Sequence, residues 1–195
     1  MNRDSYNRLR AEVFGLINKD ALSEVLELKR SATRVDGIQD LIRTAIMESS
    51  IGKYKSLPYF FNGRIYEKMS HDDFSNLIYD LMKDCNLPLG DYARVRGISD
   101  LCLKAISNKE LRPNKSLIVF SNYVLDTKTR KKHRFNKNLV QMSAVDYPYD
   151  EEVVAHQWRF LLEALLPDKR DRRVLQESLG CLLLNRGSIS FGHMT

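Results

Sequence analysis

The chain has 195 residues, 43% of them hydrophobic and 29% charged, with a formal net charge of +6 and an isoelectric point near 9.2. That length holds one large domain or two small ones, and the apolar share excludes a disordered polar chain. No apolar run approaches the roughly 18 residues of a membrane span, so no membrane partner is expected.

The polar start MNRDSYNRLR lacks the apolar stretch of a secretory signal, and the expected location is the cytoplasm. Cys85, Cys102 and Cys181 show no metal-ligand spacing, and His71, His133, His156 and His193 do not complete one. Free thiols in a reducing compartment are expected, with no metal and no cofactor.

Leu9, Val13, Leu16 and Ile17 recur at helical spacing, and Leu22, Val25 and Leu26 continue the stripe. This predicts helix over 4–30, capped by Asp4 or Ser5, with a break at Asn18-Lys19-Asp20. Asp36 is expected to cap a second helix carrying Ile38, Leu41, Ile42, Ala45 and Ile46, with Gly52 just past its end. Ser56-Leu57-Pro58 reads as a boundary. Tyr59-Phe60-Phe61 and Arg64-Ile65-Tyr66 then flank Asn62-Gly63, the signature of a hairpin with a type I′ turn.

Ser70 caps the next predicted helix, with Asp72 and Asp73 in its first turn and Phe74, Leu77, Ile78, Leu81 and Met82 as its apolar stripe. Pro88-Leu89-Gly90 ends it. A helix over about 91–108 carries Val95, Ile98, Leu101, Cys102 and Ala105, with Arg94, Arg96 and Lys104 on its polar side. The predicted fold class is α+β, mostly helical with short antiparallel strands. A hairpin followed by two or three helices is compatible with a winged-helix-like middle.

Leu117 to Phe120 is a continuous apolar run, read as a strand buried on both faces. Ser121-Asn122 suits a turn into a second strand, Tyr123-Val124-Leu125. A surface loop follows, and then Lys128, Arg130, Lys131, Lys132, His133, Arg134 and Lys137 crowd one segment. Asp150 with Glu151 and Glu152 predicts a helix start, followed by an inward stripe of Val153, Val154, Trp158, Leu161, Leu162 and Leu165. Pro167-Asp168 stops that helix. A last one from Asp168 or Asp171 turns Val174, Leu175, Ser178, Leu179, Leu182 and Leu183 inward, and Ser188 to Phe191 reads as the start of a strand.

No glycine-rich phosphate loop ending in Gly-Lys-Ser/Thr is present. Asp72-Asp73 and Glu151-Glu152 stand where helix starts favour acids, and no nucleophile signature surrounds a cysteine. The chain is therefore not expected to be an enzyme by itself. The segment from Lys128 to Lys137 is the concentrated charge. It serves either as a solvated loop or as a sequence-independent phosphate contact, with Lys and Arg releasing counterions and His133 adding a donor. Arg94 and Arg96 are further candidates for the same role.

Several short motifs occur in a fixed order: Asn62-Gly63-Arg64-Ile65-Tyr66, then Phe120-Ser121-Asn122-Tyr123-Val124-Leu125-Asp126, then Tyr147-Pro148-Tyr149-Asp150, then Leu175-Gln176-Glu177-Ser178-Leu179-Gly180. Over residues 57–185 this series resembles the domain preceding the superfamily 3 helicase in phage and plasmid primase-helicases, related to the poxvirus primase-helicase. Tyr123 stands where that family carries glycine, so Asn122 is expected to take the left-handed conformation itself.

The resemblance implies a helical lead-in or linker over 1–56, the helicase-preceding domain over 57–186, and the start of the helicase motor over 187–195. It implies a non-catalytic accessory role in replication, positioning DNA or the ATPase ring. The implied partners are DNA, the superfamily 3 ATPase domain of the same parent chain, and further copies once that motor is present. A protein-interaction collar without DNA contact is the alternative.

Overall fold

The computed structural model describes residues 1–28, 31–86, 92–153 and 155–183. The chain is α+β and mostly helical, and it divides into two compact units, Met1–Arg112 and Pro113–Thr195.

In the first unit, Asn2 opens α1 (Arg3–Leu16) by accepting the Ser5 N–H at 2.8 Å. This satisfies one of the unpaired donors of the first turn, so the cap lies ahead of the expected Asp4 or Ser5. Asn18 breaks the long predicted helix. Its side chain accepts from the Asp20 and Ala21 N–H groups, both at 3.0 Å, and starts α2 (Lys19–Leu26).

The next helix, α3 (Ser31–Glu48), begins before the expected cap, and Asp36 is an interior residue of it. One face of α3 carries Ile38, Ile42, Ala45 and Ile46, all fully buried. Burial of that face stabilises the helix more than an interior aspartate disfavours it. Lys109 closes the end of α3, its Nζ donating to the Met47 and Ser49 carbonyls at 2.8 and 2.6 Å.

Gly52 does not follow a helix as expected; it lies in β1 (Ile51–Tyr54). A Cβ there would stand 2.6 Å from Leu111 Cδ2. The close approach arises because the 109–111 backbone bonds to β1: Lys53 N–H donates to Lys109 O at 3.0 Å and Leu111 N–H to Lys53 O at 2.7 Å.

With β2 (Leu57–Phe61) and β3 (Tyr66–Lys68), β1 forms an antiparallel meander in the order β1-β2-β3. Residues 55–56, at the stretch read as a boundary, form the β1–β2 turn between the paired Tyr54 and Leu57. Lys55 and Ser56 both hold positive φ, 47° and 67°, as a primed hairpin turn requires.

The β2–β3 turn is shifted by one residue from expectation. Asn62 N–H donates to Ile65 O at 3.0 Å, and Gly63, with φ 100°, is its first central residue. Asn62 is held at the preceding position because its side-chain oxygen accepts the Arg64 and Ile65 N–H groups at 2.8 and 2.9 Å.

Ser70 caps α4 (His71–Asp84) as predicted, and its five-residue apolar stripe is buried. In α5 (Tyr92–Ala105), Val95, Ile98 and Cys102 are buried, but Leu101 is exposed, because it lies a quarter turn off the face they share. The predicted stop at 88–90 lies outside the described residues. Polar clamps join α1 to α4: Tyr6 Oη donates to Asp80 at 2.7 Å, and Arg10 donates to both Asp84 oxygens at 2.8 and 2.6 Å. Burial, then the bond to Asp80, pushes the Tyr6 phenol above its ordinary range.

The second unit holds another antiparallel meander: β4 (Leu117–Val119), β5 (Val124–Asp126) and β6 (Lys132–His133). The run from Leu117 to Phe120 is not buried on both faces. Leu117 and Val119 are buried while Ile118 and Phe120 are half-buried, the alternation of a sheet with one covered face. Two helices follow, α6 (His156–Leu165) and α7 (Lys169–Leu183).

No helix begins at Asp150. The first starts at His156; the segment before it bonds to the sheet instead, Val145 N–H donating to Val119 O and Tyr149 N–H to the Asn122 side chain. Within α6 only Leu162 of the predicted inward stripe is buried; Trp158, Leu161 and Leu165 are exposed, as is Val153 before it. In α7, Val174 and Leu179 are exposed and Leu175 is half-buried. Val154, the Leu182 and Leu183 side chains, and the predicted strand at 188–191 lie outside the described residues.

Candidate nucleic-acid interface

Sheet register sorts the basic segment onto opposite faces. Val119 pairs with Val124 and Val124 with His133, so His133 shares the covered face with two buried valines. Ile118 pairs with Leu125 and Leu125 with Lys132, which sets Lys132 on the open face. The segment expected as a loop is therefore partly a strand. It pairs because Asp126 N–H reaches Lys131 O at 2.9 Å and closes the hairpin.

Asp126 also organises the turn. Its two carboxylate oxygens accept from Lys128 N–H and Thr129 Oγ1, both at 2.9 Å. These bonds, the Lys128 N–H first, hold its carboxyl below the usual carboxylate range. Lys128, Arg130 and Lys131 are displayed around the turn, all exposed, and Arg130 has a positive φ of 57°. Arg134 and Lys137 follow β6 and are exposed as well.

Aromatic residues crowd the open face. Phe120, Tyr123 and Tyr149 form a cluster with ring centres 5.0 to 6.3 Å apart. The strap carrying Tyr147 and Tyr149 is fixed by backbone bonds. Ser121 N–H donates to Tyr147 O at 3.1 Å, and the Asn122 side chain both donates to Tyr149 O at 3.0 Å and accepts Tyr149 N–H at 3.1 Å. Asn122 does not take the left-handed conformation expected of it. Its amide is committed to the strap, which the turn at 121–122 serves without a positive φ.

Lys132 lies over this cluster, its Nζ 5.1 Å from the Tyr123 ring centre and 5.9 Å from that of Tyr149. Glu151 pairs with it at 3.1 Å. That hydrogen bond raises the Lys132 ammonium above the usual lysine range. Beside the cluster, Leu125, Thr127, Arg130, Tyr149 and Glu151 line an open groove.

The candidate residues are thus only partly brought together. Lys128, Arg130 and Lys131 share one turn, Lys132 is engaged by an acid and two rings, and His133 faces the covered side. Arg96 is exposed on α5 of the first unit, and the side chain of Arg94 lies outside the described residues.

The cation count of the sequence did not point to Phe120, Tyr123, Tyr149 or Glu151 as members of the site. A further cluster also went unmarked: a groove lined by Arg159, Glu163, Lys169, Arg172 and Arg173 along α6 and α7. Its signal is the run Lys169-Arg170-Asp171-Arg172-Arg173, interrupted by the one acid Asp171. Arg173 is engaged there by Glu177 at 2.8 Å, and Arg172 by the Leu166 and Pro167 carbonyls.

No protein-family model matches the chain, and no curated protein matches it in sequence. Among the described residues there is no group of three or more His, Cys, Asp or Glu side chains that could hold a metal, and no helix long and apolar enough to cross a membrane.

Proposed function

We propose that the chain is a non-catalytic, DNA-contacting accessory module of a replication protein, of the kind that precedes a superfamily 3 helicase motor in phage and plasmid primase-helicases. It acts in the cytoplasm, its neighbour is the ATPase domain of the parent protein, and it positions DNA for that motor. The observation carrying this reading is the turn before β6 and the residue just after it, which display Lys128, Arg130, Lys131 and Arg134, all exposed, beside an aromatic cluster. Clustered cations gain affinity for a polyanion by releasing its counterions, whatever the base sequence.

Binding of mixed-sequence DNA, followed by fluorescence anisotropy across a salt series, tests it. Lys131→Glu with Arg134→Glu should weaken binding at every salt concentration and lower the slope of log affinity against log salt by about 2. Equal binding by wild type and double variant rejects the DNA role of this segment.

The exposed apolar residues of α6 and α7 favour a second reading, a protein-interaction collar. Trp158, Leu161, Leu165, Val174 and Leu179 are each at least 40% exposed, an unusual amount of apolar surface for two neighbouring helices to leave in water. In that role the helices pack against the motor or further copies. A parent protein that stays monomeric with nucleotide bound rejects the collar.

A further inference from the structure

We propose that the groove between Tyr149 and Arg130 holds an unstacked base of a single-stranded nucleic acid. This rests on the DNA-contacting reading above and narrows it from any polyanion to a single strand. Three observations on the open face of the β4–β5–β6 sheet carry it.

The first is the groove wall. Tyr149 is only half-buried, although it packs on Phe120 and Tyr123. Those neighbours and the Asn122 bonds hold the ring in place, while the groove beside it stays open. A ring fixed in this way stacks on a base without losing much freedom, and any base has a face to offer. Leu125, on the same sheet face, adds an apolar surface. Tyr147, on the same strap, is 76% exposed and presents another ring.

The second is Arg130. It holds a φ of 57°, a conformation that glycine adopts freely and L-residues avoid. The fold itself would be better served by glycine. Arg130 lines the groove and stands where a phosphate flanking the stacked base would lie.

The third is charge. Glu151 lines the same groove and alone would repel phosphate, but Lys132 neutralises it at 3.1 Å. The groove keeps the positive charge of Arg130. In a duplex each base is stacked on both faces and paired along one edge, so none can enter a groove walled by a ring.

The test uses the full chain and fluorescein-labelled oligonucleotides of one mixed sequence, as single-stranded DNA, duplex DNA and single-stranded RNA, by anisotropy at fixed salt. Either single strand should bind about tenfold or more tighter than the duplex, and the two single-stranded arms identify the sugar accepted. Tyr149→Ala should lose about fivefold or more of that affinity, and Tyr149→Phe should keep it, because the ring and not the hydroxyl does the stacking. Arg130→Gly should lose affinity while melting no lower than wild type, so it decides the matter if Tyr149→Ala fails to fold. Duplex bound as tightly as single strand, or undiminished single-strand binding by both Tyr149→Ala and Arg130→Gly, overturns the single-strand proposal and leaves general DNA contact standing. Binding of neither form overturns both.

Discussion

The Lys132 ammonium lies 3.1 Å from the Glu151 carboxylate, so the cation at the centre of the basic segment is already neutralised from a residue nineteen positions away. It is therefore not equivalent to its neighbours. Glu151→Gln should free it, tighten DNA binding a few-fold at low salt and steepen the salt slope by up to about 1. A salt series on the variant measures this. An unchanged slope would mean that Lys132 stays over the tyrosine rings even without its acid.

Lys55 and Ser56 make the β1–β2 turn with two positive φ angles and no glycine or asparagine. Each L-residue there gives up about 1 kcal/mol that glycine or asparagine would largely retain. Replacing the pair by Asn-Gly should raise stability by about 1 kcal/mol in urea unfolding with an unchanged m-value. A loss of stability would show that the Lys55 contact with the Tyr54 ring, at 5.4 Å, outweighs the backbone term.

Gly52 and Leu111 press against each other in the first unit. A Cβ at residue 52 would lie 2.6 Å from one Leu111 methyl and 2.7 Å from its Cγ. Gly52→Ala should cost about 1–3 kcal/mol, as overpacking does. Leu111→Ala should relieve much of that penalty in the double variant, which a double-mutant cycle in urea would reveal as coupling between the sites.

The cysteines should sort by environment. Burial pushes the Cys102 thiol up to about 12 and the Cys85 thiol to about 11, from an ordinary 9.0. Below pH 9 the folded and unfolded chains both keep these protons. Above it the unfolded chain releases them while the native chain holds them, so stability is present below pH 9 and is lost as pH rises. In the native protein near pH 8, Cys85 and Cys102 should resist alkylation, while half-buried Cys181 reacts first. Mass spectrometry of the labelled peptides checks the order.

Local signals were legible where local forces decide. Ser70 as a cap and the stripe from Phe74 to Met82 could be read directly, because capping and helical periodicity need only neighbours within two turns. The two hairpins at Phe61–Tyr66 and Val119–Val124 were equally visible. The exact turn at Asn62 was not, because it depends on which of two adjacent positions the side-chain oxygen bonds.

The candidate site was legible only as a count of cations. The density of Lys and Arg from Lys128 to Lys137 is a property of composition, and the sequence determined it alone, together with the α+β class and the apolar faces of α3 and α4. Only the tertiary structure decided which cations are presented. Pairing of β5 with β6 turned His133 inward and Lys132 outward, since alternate residues of a strand face opposite ways. The strap at 147–151 then brought Tyr149 and Glu151 onto the same face, through bonds to Asn122 that span 27 residues. No pattern within a short window encodes a contact of that separation, because its energy exists only once the sheet has formed.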